Sequence, residues 1–261
     1  MLQFVYIPAV SLLYRIHSTL HTKIVLPQLG STYNMDITSL DYLLHNNPTI
    51  WVFGYGSLLW KPDFEYSSKK IGSVKGFVRR FWQGNATHRG TPSQPGRVAN
   101  LVKCKEGRSW GVAYEIKGTE SVTKILKYLN HRETQLGGYT TLVTEFEPRE
   151  PGSKPISVLV FTVTEDNPYY LGETDIPSMA KQIVNARGAA GTNVEYVTKI
   201  ADYVRHYIPE DKDDYLFTID LTIRKLVREM VGSDDSTEWH FDMHRHNLLT
   251  REPIPEIAAE S

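Results

Sequence analysis

Glu133 is the residue of this sequence best placed to move a proton. Val122, Ile125, Leu126 and Leu129 fall at i, i+3, i+4 and i+7, and define the core-facing side of a helix predicted over Glu120–Glu133. At about 100° per residue, Glu133 returns to that same face, eleven positions beyond Val122. Unpaired glutamate is rarely buried. An acid at the end of an apolar stripe therefore has two readings. It is a general base whose pKa is raised by partial desolvation and which is aimed at a pocket, or it is a solvated carboxylate on a helix that has already frayed. Periodicity supports both.

The pocket in the first reading would lie beside a second chemically suggestive stretch, Thr49–Trp60. The apolar run Ile50-Trp51-Val52-Phe53 stops at Gly54-Tyr55-Gly56-Ser57 and resumes as Leu58-Leu59-Trp60, which reads as a buried strand feeding a tight loop. Glycines on both sides of Tyr55 permit positive φ and close backbone approach, so successive N–H groups can converge into an anion-binding concavity. A plain strand-to-turn connection has the same signature. The stretch opens no βαβ unit with a third glycine, and Lys61 completes no phosphate-cradling loop, which sets nucleotide binding aside. Other nucleophiles and ligands compete poorly. Ser57 sits in no GxSxG elbow, and Cys104 lies inside a strand signal without a base partner. His240, His244 and His246 include HxxxH spacing but no following carboxylate ligand, so a solvated cluster is expected and no metal site.

These groups need a scaffold. Gly76–Gln83, Arg97–Cys104 and Trp110–Ile116 are short, β-branched or aromatic, and read as strands separated by loops; Thr141–Phe146 and Ile156–Val163 follow. Thr119 is the expected N-cap of the Glu120–Glu133 helix, and further helices are predicted over Met35–Asn47, Ile176–Arg187, Val194–Tyr207 and Tyr215–Val231. At least six strands against few helices predict an α+β fold, a mixed sheet curled toward a small barrel with peripheral helices. Three regions are expected: an N-terminal extension over residues 1–48, a catalytic domain over 49–231 and a polar, disordered tail over 232–261.

Composition bounds the partners. Hydrophobic residues make up 41% of the 261 and charged residues 23%, enough for a sizeable core, and a formal net charge of −1 gives no reason to expect nucleic acid or an acidic membrane. The single cysteine excludes an internal disulfide and a cysteine-based zinc cluster, and fits a reducing compartment. No apolar run approaches the ~20 residues that span a bilayer. Residues 1–35 carry Arg15, Lys23, His17 and His21 but no Asp or Glu, a composition shared by mitochondrial transit peptides and by disordered extensions. A cytoplasmic protein is expected, with a mitochondrial location as the alternative.

Five separated motifs occur in order across residues 51–198: VFGYGSLLWKPDF, KGFVRRFWQGNATHRGTPSQPGRVANL, YLNHRETQLGGYTT, DNPYYLG and AGTNVEYV. Together they resemble the ChaC-type γ-glutamylcyclotransferase family, in its glutathione-specific branch, over about residues 50–230. The resemblance implies a cyclotransferase-type small β-barrel with peripheral helices. It implies cleavage of glutathione to 5-oxoproline and cysteinylglycine without a cofactor. The family's substrate loop matches Gly54, Tyr55, Gly56, Ser57, Leu58 and Leu59, and its catalytic glutamate matches Glu133.

Other residues are weaker candidates. Arg79 and Arg80 are adjacent on a strand and face opposite sides, so one of them at most reaches a pocket; a surface arginine paired with an acid is the plainer expectation. Arg89 and Arg97 bracket a Pro-rich loop within reach of a substrate carboxylate. Tyr196 either lines the pocket through its hydroxyl or is a core tyrosine. The chain departs from the family pattern at Thr87, Asn130 and Ala190, which bears on substrate preference and rate. The sequence leaves two alternatives beside glutathione cleavage: a cyclotransferase for other γ-glutamyl amines, and a non-catalytic regulatory module on the same fold. It carries no signal for oligomeric state.

Overall fold

The apolar and alternating runs assemble into one sheet. The computed structural model of the chain describes residues 33–35, 49–129 and 140–233. Its main strands are β1 (Tyr33–Met35), β2 (Thr49–Gly54), β3 (Ser68–Asn85), β4 (Gly96–Lys117), β5 (Thr140–Pro148) and β6 (Ile156–Thr162), in the order β1-β5-β3-β4-β2-β6. A further β5–β6 pairing closes five of them into a barrel. The ladders are antiparallel except β2–β6, which is parallel. Four helices pack outside: α1 (Thr119–Leu129), α2 (Ile176–Asn185), α3 (Asn193–Tyr207) and α4 (Asp214–Ser233). A short hairpin, β7 (Arg187–Gly188) and β8 (Gly191–Thr192), leads into α3. The α+β barrel is the expected architecture.

Helical periodicity translated directly into burial. Val122, Ile125, Leu126 and Leu129 of α1 are all buried, as are Met179, Ala180, Ile183 and Val184 of α2 and Leu216, Ile219, Ile223 and Val227 of α4. Each such Leu, Ile or Val contributes about 1.5–3 kcal/mol of transfer free energy, so these stripes fix the helices on the barrel. Gly118, at φ +90°, takes the Val122 N–H on its carbonyl at 2.9 Å and caps α1, so Thr119 is the first helical residue rather than the N-cap. The fully buried Asp220 of α4 pairs with Arg224 at 2.9 Å and with Arg205 of α3 at 2.6 Å, and Arg224 also holds Asp202 of α3 at 2.7 Å. This network ties α3 to α4, and with them the short linker that joins the two helices.

Three expectations are corrected. The strand signals Arg97–Cys104 and Trp110–Ile116 are one strand, β4, which runs unbroken through Lys105–Ser109. Strand β3 begins well before Gly76 and accommodates register shifts at Lys75/Phe77 and Arg80/Gln83, so the two strands form a long bent hairpin. Within the segment read as an extension, Tyr33, Asn34 and Met35 pair with Val143, Leu142 and Thr141 of β5. Met35 therefore closes a strand, and the rest of the Met35–Asn47 helix lies outside the described residues, as do 1–32 and 234–261.

Candidate active site

The glycine loop is shaped by where its carbonyls go. The Tyr55 carbonyl accepts from Arg79 Nε at 3.0 Å, the Gly56 carbonyl from the Leu59 N–H at 3.0 Å, the Ser57 carbonyl from the Trp60 and Lys61 N–H groups at 3.2 and 2.8 Å, and the Leu58 carbonyl from the Tyr114 hydroxyl at 2.7 Å. Every carbonyl from residue 55 to 58 is thus held by the protein. In a planar trans peptide the next residue's N–H points the opposite way. The N–H groups of Gly56, Ser57 and Leu58 therefore point away from these anchors, at the N-terminal end of the 3₁₀ turn Ser57–Leu59. The Leu59 N–H is spent inside the turn, on the Gly56 carbonyl. Leu58 and Leu59 are buried, so their side chains seat the loop on the core, and the Tyr55 hydroxyl donates to the Phe161 carbonyl of β6 at 2.7 Å.

The two glycines serve close approach. Neither has positive φ, contrary to one expectation from sequence. A Cβ on Gly54 would lie 2.6 Å from the Leu58 Cβ, and one on Gly56 would lie 3.0 Å from the Tyr196 hydroxyl. The backbone can pack this tightly only without side chains.

Tyr196 reaches the loop from the first turn of α3. Its hydroxyl accepts from the Ala99 N–H at 3.1 Å, and the residue is 6% exposed. One helical turn earlier, Asn193 accepts from the Arg97 N–H at 2.6 Å and donates to the Arg97 carbonyl at 2.8 Å, and Thr162 Oγ1 does the same for Leu101 at 3.0 and 3.1 Å. Residues 97, 99 and 101 lie on one edge of β4, so three side chains serve an edge that no strand covers at this point. Tyr196 is thereby both a core tyrosine and the residue that abuts Gly56.

The arginines are committed to the protein. Arg89 Nη1 donates to Glu195 at 2.7 Å and to the Thr192 carbonyl at 3.0 Å, with its guanidinium 5.8 Å from the Trp60 ring and 5.7 Å from the Tyr196 ring. Burial acts to raise the Glu195 pKa, but hydrogen bonds from Lys199 and Arg89 outweigh it and hold the carboxyl below its ordinary value. Arg97 donates to Gln182, Phe81 and Gly172. Both side chains are thus buried and anchored to the protein, where the sequence suggested a reach to a substrate carboxylate. Arg80 lies half-buried over the Tyr215 ring at 4.4 Å. Arg79 is 1% exposed and paired with Asp213 at 2.8 Å and Asp211 at 3.4 Å, a buried ion cluster rather than the surface pair expected. Nothing local in the sequence marks it, because both acids lie more than a hundred residues away.

Glu133 falls outside the described residues; α1 is described to Leu129, with its apolar face inward as the argument for Glu133 required. Among the described residues no group of three or more His, Cys, Asp or Glu side chains could hold a metal ion. None of their helices is long and apolar enough to cross a membrane.

Residues 50–226 match the ChaC-like protein family. The chain belongs to it. Within this family, the chain is similar to the glutathione-specific γ-glutamylcyclotransferase 1 of Homo sapiens, at 46% identity over 170 residues, covering 65% of this chain and 76% of that protein. The Danio rerio protein of the same name is 42% identical over 183 residues, 70% of this chain and 93% of its own. Among solved structures, a γ-glutamyl cyclotransferase specific to glutathione from yeast aligns with a TM-score of 0.62 at 30% identity, over 69% of this chain and 97% of its own. The ChaC-like match spans β2 to α4, so it contains the glycine loop, Arg79 and Tyr196.

Proposed function

We propose that the chain is a glutathione-degrading γ-glutamylcyclotransferase, a carbon–nitrogen lyase of the cytoplasm that releases 5-oxoproline and cysteinylglycine. The observation that carries the reading is the glycine loop, whose carbonyls from Tyr55 to Leu58 are each held by the protein, so that the Gly56 and Leu58 N–H groups point away from those partners, in a chain 46% identical to a glutathione-specific γ-glutamylcyclotransferase. Such a set of fixed donors suits a carboxylate or a developing oxyanion.

The chemistry is intramolecular. The α-amine of the γ-glutamyl arm attacks its own γ-amide carbonyl, a C–N bond forms and closes a five-membered ring, and the original amide C–N bond breaks. Counted from the ammonium, the attacking nitrogen loses two protons as it becomes the lactam N–H, and the departing nitrogen gains two as it leaves as an ammonium. Because both reactants belong to one molecule, the main task of the site is to hold the arm folded. At neutral pH the amine is an ammonium and cannot attack, so a base is required; one proton of the ammonium goes to solvent, and Glu133 is the residue proposed to take the second from the attacking nitrogen and deliver it to the leaving group, which takes its last proton from solvent. The substrate loop Gly54–Leu59 holds the γ-glutamyl end, and Tyr196 sets its floor through Gly56. The catalytic domain is proposed to comprise residues 49–231 together with the strand Tyr33–Met35 that completes the β5 edge.

Mass spectrometry tests this directly. Purified protein is incubated with millimolar glutathione, with glutathione disulfide and γ-glutamyl amino acids run in parallel and Glu133→Gln as the control. We expect 5-oxoproline and cysteinylglycine from glutathione, and a loss of several orders of magnitude in the folded Gln variant. Product only from the other γ-glutamyl compounds would move the substrate, and no product from any would point to a regulatory module.

A further inference from the structure

The Tyr55–Gly56 peptide has an orientation problem. A peptide that precedes glycine can flip at little steric cost, because glycine accepts φ of either sign. A flip would reverse the Gly56 N–H, exchanging a donor for a carbonyl at the mouth of the loop. Something other than local sterics must therefore hold it, and one buried side chain does so.

We infer that Arg79 is a positioning residue for the substrate loop: its guanidinium locks the Tyr55–Gly56 peptide in the orientation that turns the Gly56 N–H outward. Nε donates to the Tyr55 carbonyl at 3.0 Å, Nη2 to the Trp110 carbonyl at 2.7 Å, and Nη1 to Asp213 Oδ2 at 2.8 Å and Asp211 Oδ2 at 3.4 Å. The fork is planar and rigid, and it is aimed by β4 on one side and by the acids of the α3–α4 linker on the other. With the other nitrogens fixed, a flip would strip Nε of its acceptor at a residue 1% exposed, leaving a buried donor unpaired. An arginine needed only to neutralise two acids would have no reason to spend Nε on the loop. Asp213 also has a second task, since its Oδ1 accepts from the Leu216 N–H at 3.0 Å and caps α4. The linker that starts α4 thus also aims the lock.

This inference rests on the proposed role of Gly54–Leu59, and its test separates the two. Arg79→Lys and Asp213→Asn are prepared with ¹⁵N-glycine labelling, and each is followed by the Gly56 amide resonance, by circular dichroism and by 5-oxoproline release. Asparagine caps a helix about as well as aspartate, so Asp213→Asn spares the cap while turning an amide toward the guanidinium. We expect one sharp Gly56 resonance in the unaltered chain. In Arg79→Lys we expect a second or broadened Gly56 resonance, with kcat/KM down by about 10–100-fold in folded protein, the scale of a displaced binding group. Asp213→Asn should show the same change at a smaller amplitude, and it decides the matter if Arg79→Lys does not fold. An unchanged Gly56 resonance in the folded variants overturns the lock, even if activity falls with stability. If the unaltered chain releases no 5-oxoproline, the enzymatic reading fails and the Gly56 resonance alone judges the lock.

Discussion

Gly56 and Tyr196 form a contact that has no room for one more carbon. The hydroxyl that would meet a Gly56 Cβ at 3.0 Å is also the acceptor for the buried Ala99 N–H. Tyr196→Phe removes that acceptor, and a buried amide left unpaired costs about 1–3 kcal/mol, so we expect a clear fall in Tm. Gly56→Ala should also destabilise, by forcing the hydroxyl or the loop to move. The two losses should not add: with the hydroxyl gone the added methyl has space, and the double variant should be more stable than the sum of the single losses, by about 0.5–1 kcal/mol. Additive losses in thermal unfolding would show that the contact does not set the loop. Asp211 gives a prediction in pH. Burial pushes its carboxyl up to about 6, against the pull of Arg79 and with the help of Asp213. Between pH 4 and 6 the folded chain therefore keeps a proton that the unfolded chain has lost, so this group's stabilisation is complete below about 4 and is lost as pH rises through 6. The acids with lowered pKa, such as Glu195, contribute in the opposite sense. The Asp211 contribution is isolated by difference: Asp211→Asn should lose none of its stability over that interval on this account, and the gap between variant and unaltered chain should change by on the order of 2 kcal/mol from pH 4 to pH 6. Denaturant titrations at the two pH values measure it.

At the scale of elements, the junction of α3 with β4 carries the site. Asn193 gives both its amide groups to Arg97, in place of a neighbouring strand. Asn193→Asp keeps an acceptor for the Arg97 N–H but sets a carboxylate oxygen against the Arg97 carbonyl, and should destabilise more than Asn193→Ala. We expect losses of about 2–4 kcal/mol and faster hydrogen exchange at Arg97 and Ala99, because Tyr196 rides on the same turn. An Asp variant as stable as Ala would show that the side chain is not a surrogate strand. This junction marks the limit of what sequence reveals. The stripe of α1 and the strand–glycine–turn of Ile50–Leu59 are legible because their signals are local: periodicity within a few turns, and glycines beside an apolar run. The continuity of β4 is not, since Lys105, Glu106 and Gly107 read as a turn although they extend a hairpin whose outer face meets water. The burial of Arg79 is not legible either, because its partners Asp211 and Asp213 lie 132 and 134 positions away and nothing near Arg79 announces them.

For the whole molecule, the open question is where the folded unit begins. Sequence drew the boundary at 48, where the first strand signal begins. The sheet draws it earlier, because Tyr33–Met35 occupy the stretch of β5 edge beyond the reach of β3: β3 pairs with β5 at Phe146–Pro148, and β1 pairs with it at Thr141–Val143. A strand of three residues has no period to detect, and it exists only because β5 presents unpaired backbone there. An exposed edge also invites pairing with other chains. Two truncations distinguish the boundaries. Removal of residues 1–31 leaves the unit Thr32–Ser261 whole, and should change neither Tm nor 5-oxoproline release. Removal of residues 1–48 deletes β1 and bares the Thr141–Val143 edge. We expect a lower Tm by several degrees, the scale of about 1–2 kcal/mol in a domain of this size, together with concentration-dependent association by light scattering. Equal stability and equal monomer content in the two truncations would return the boundary to 48.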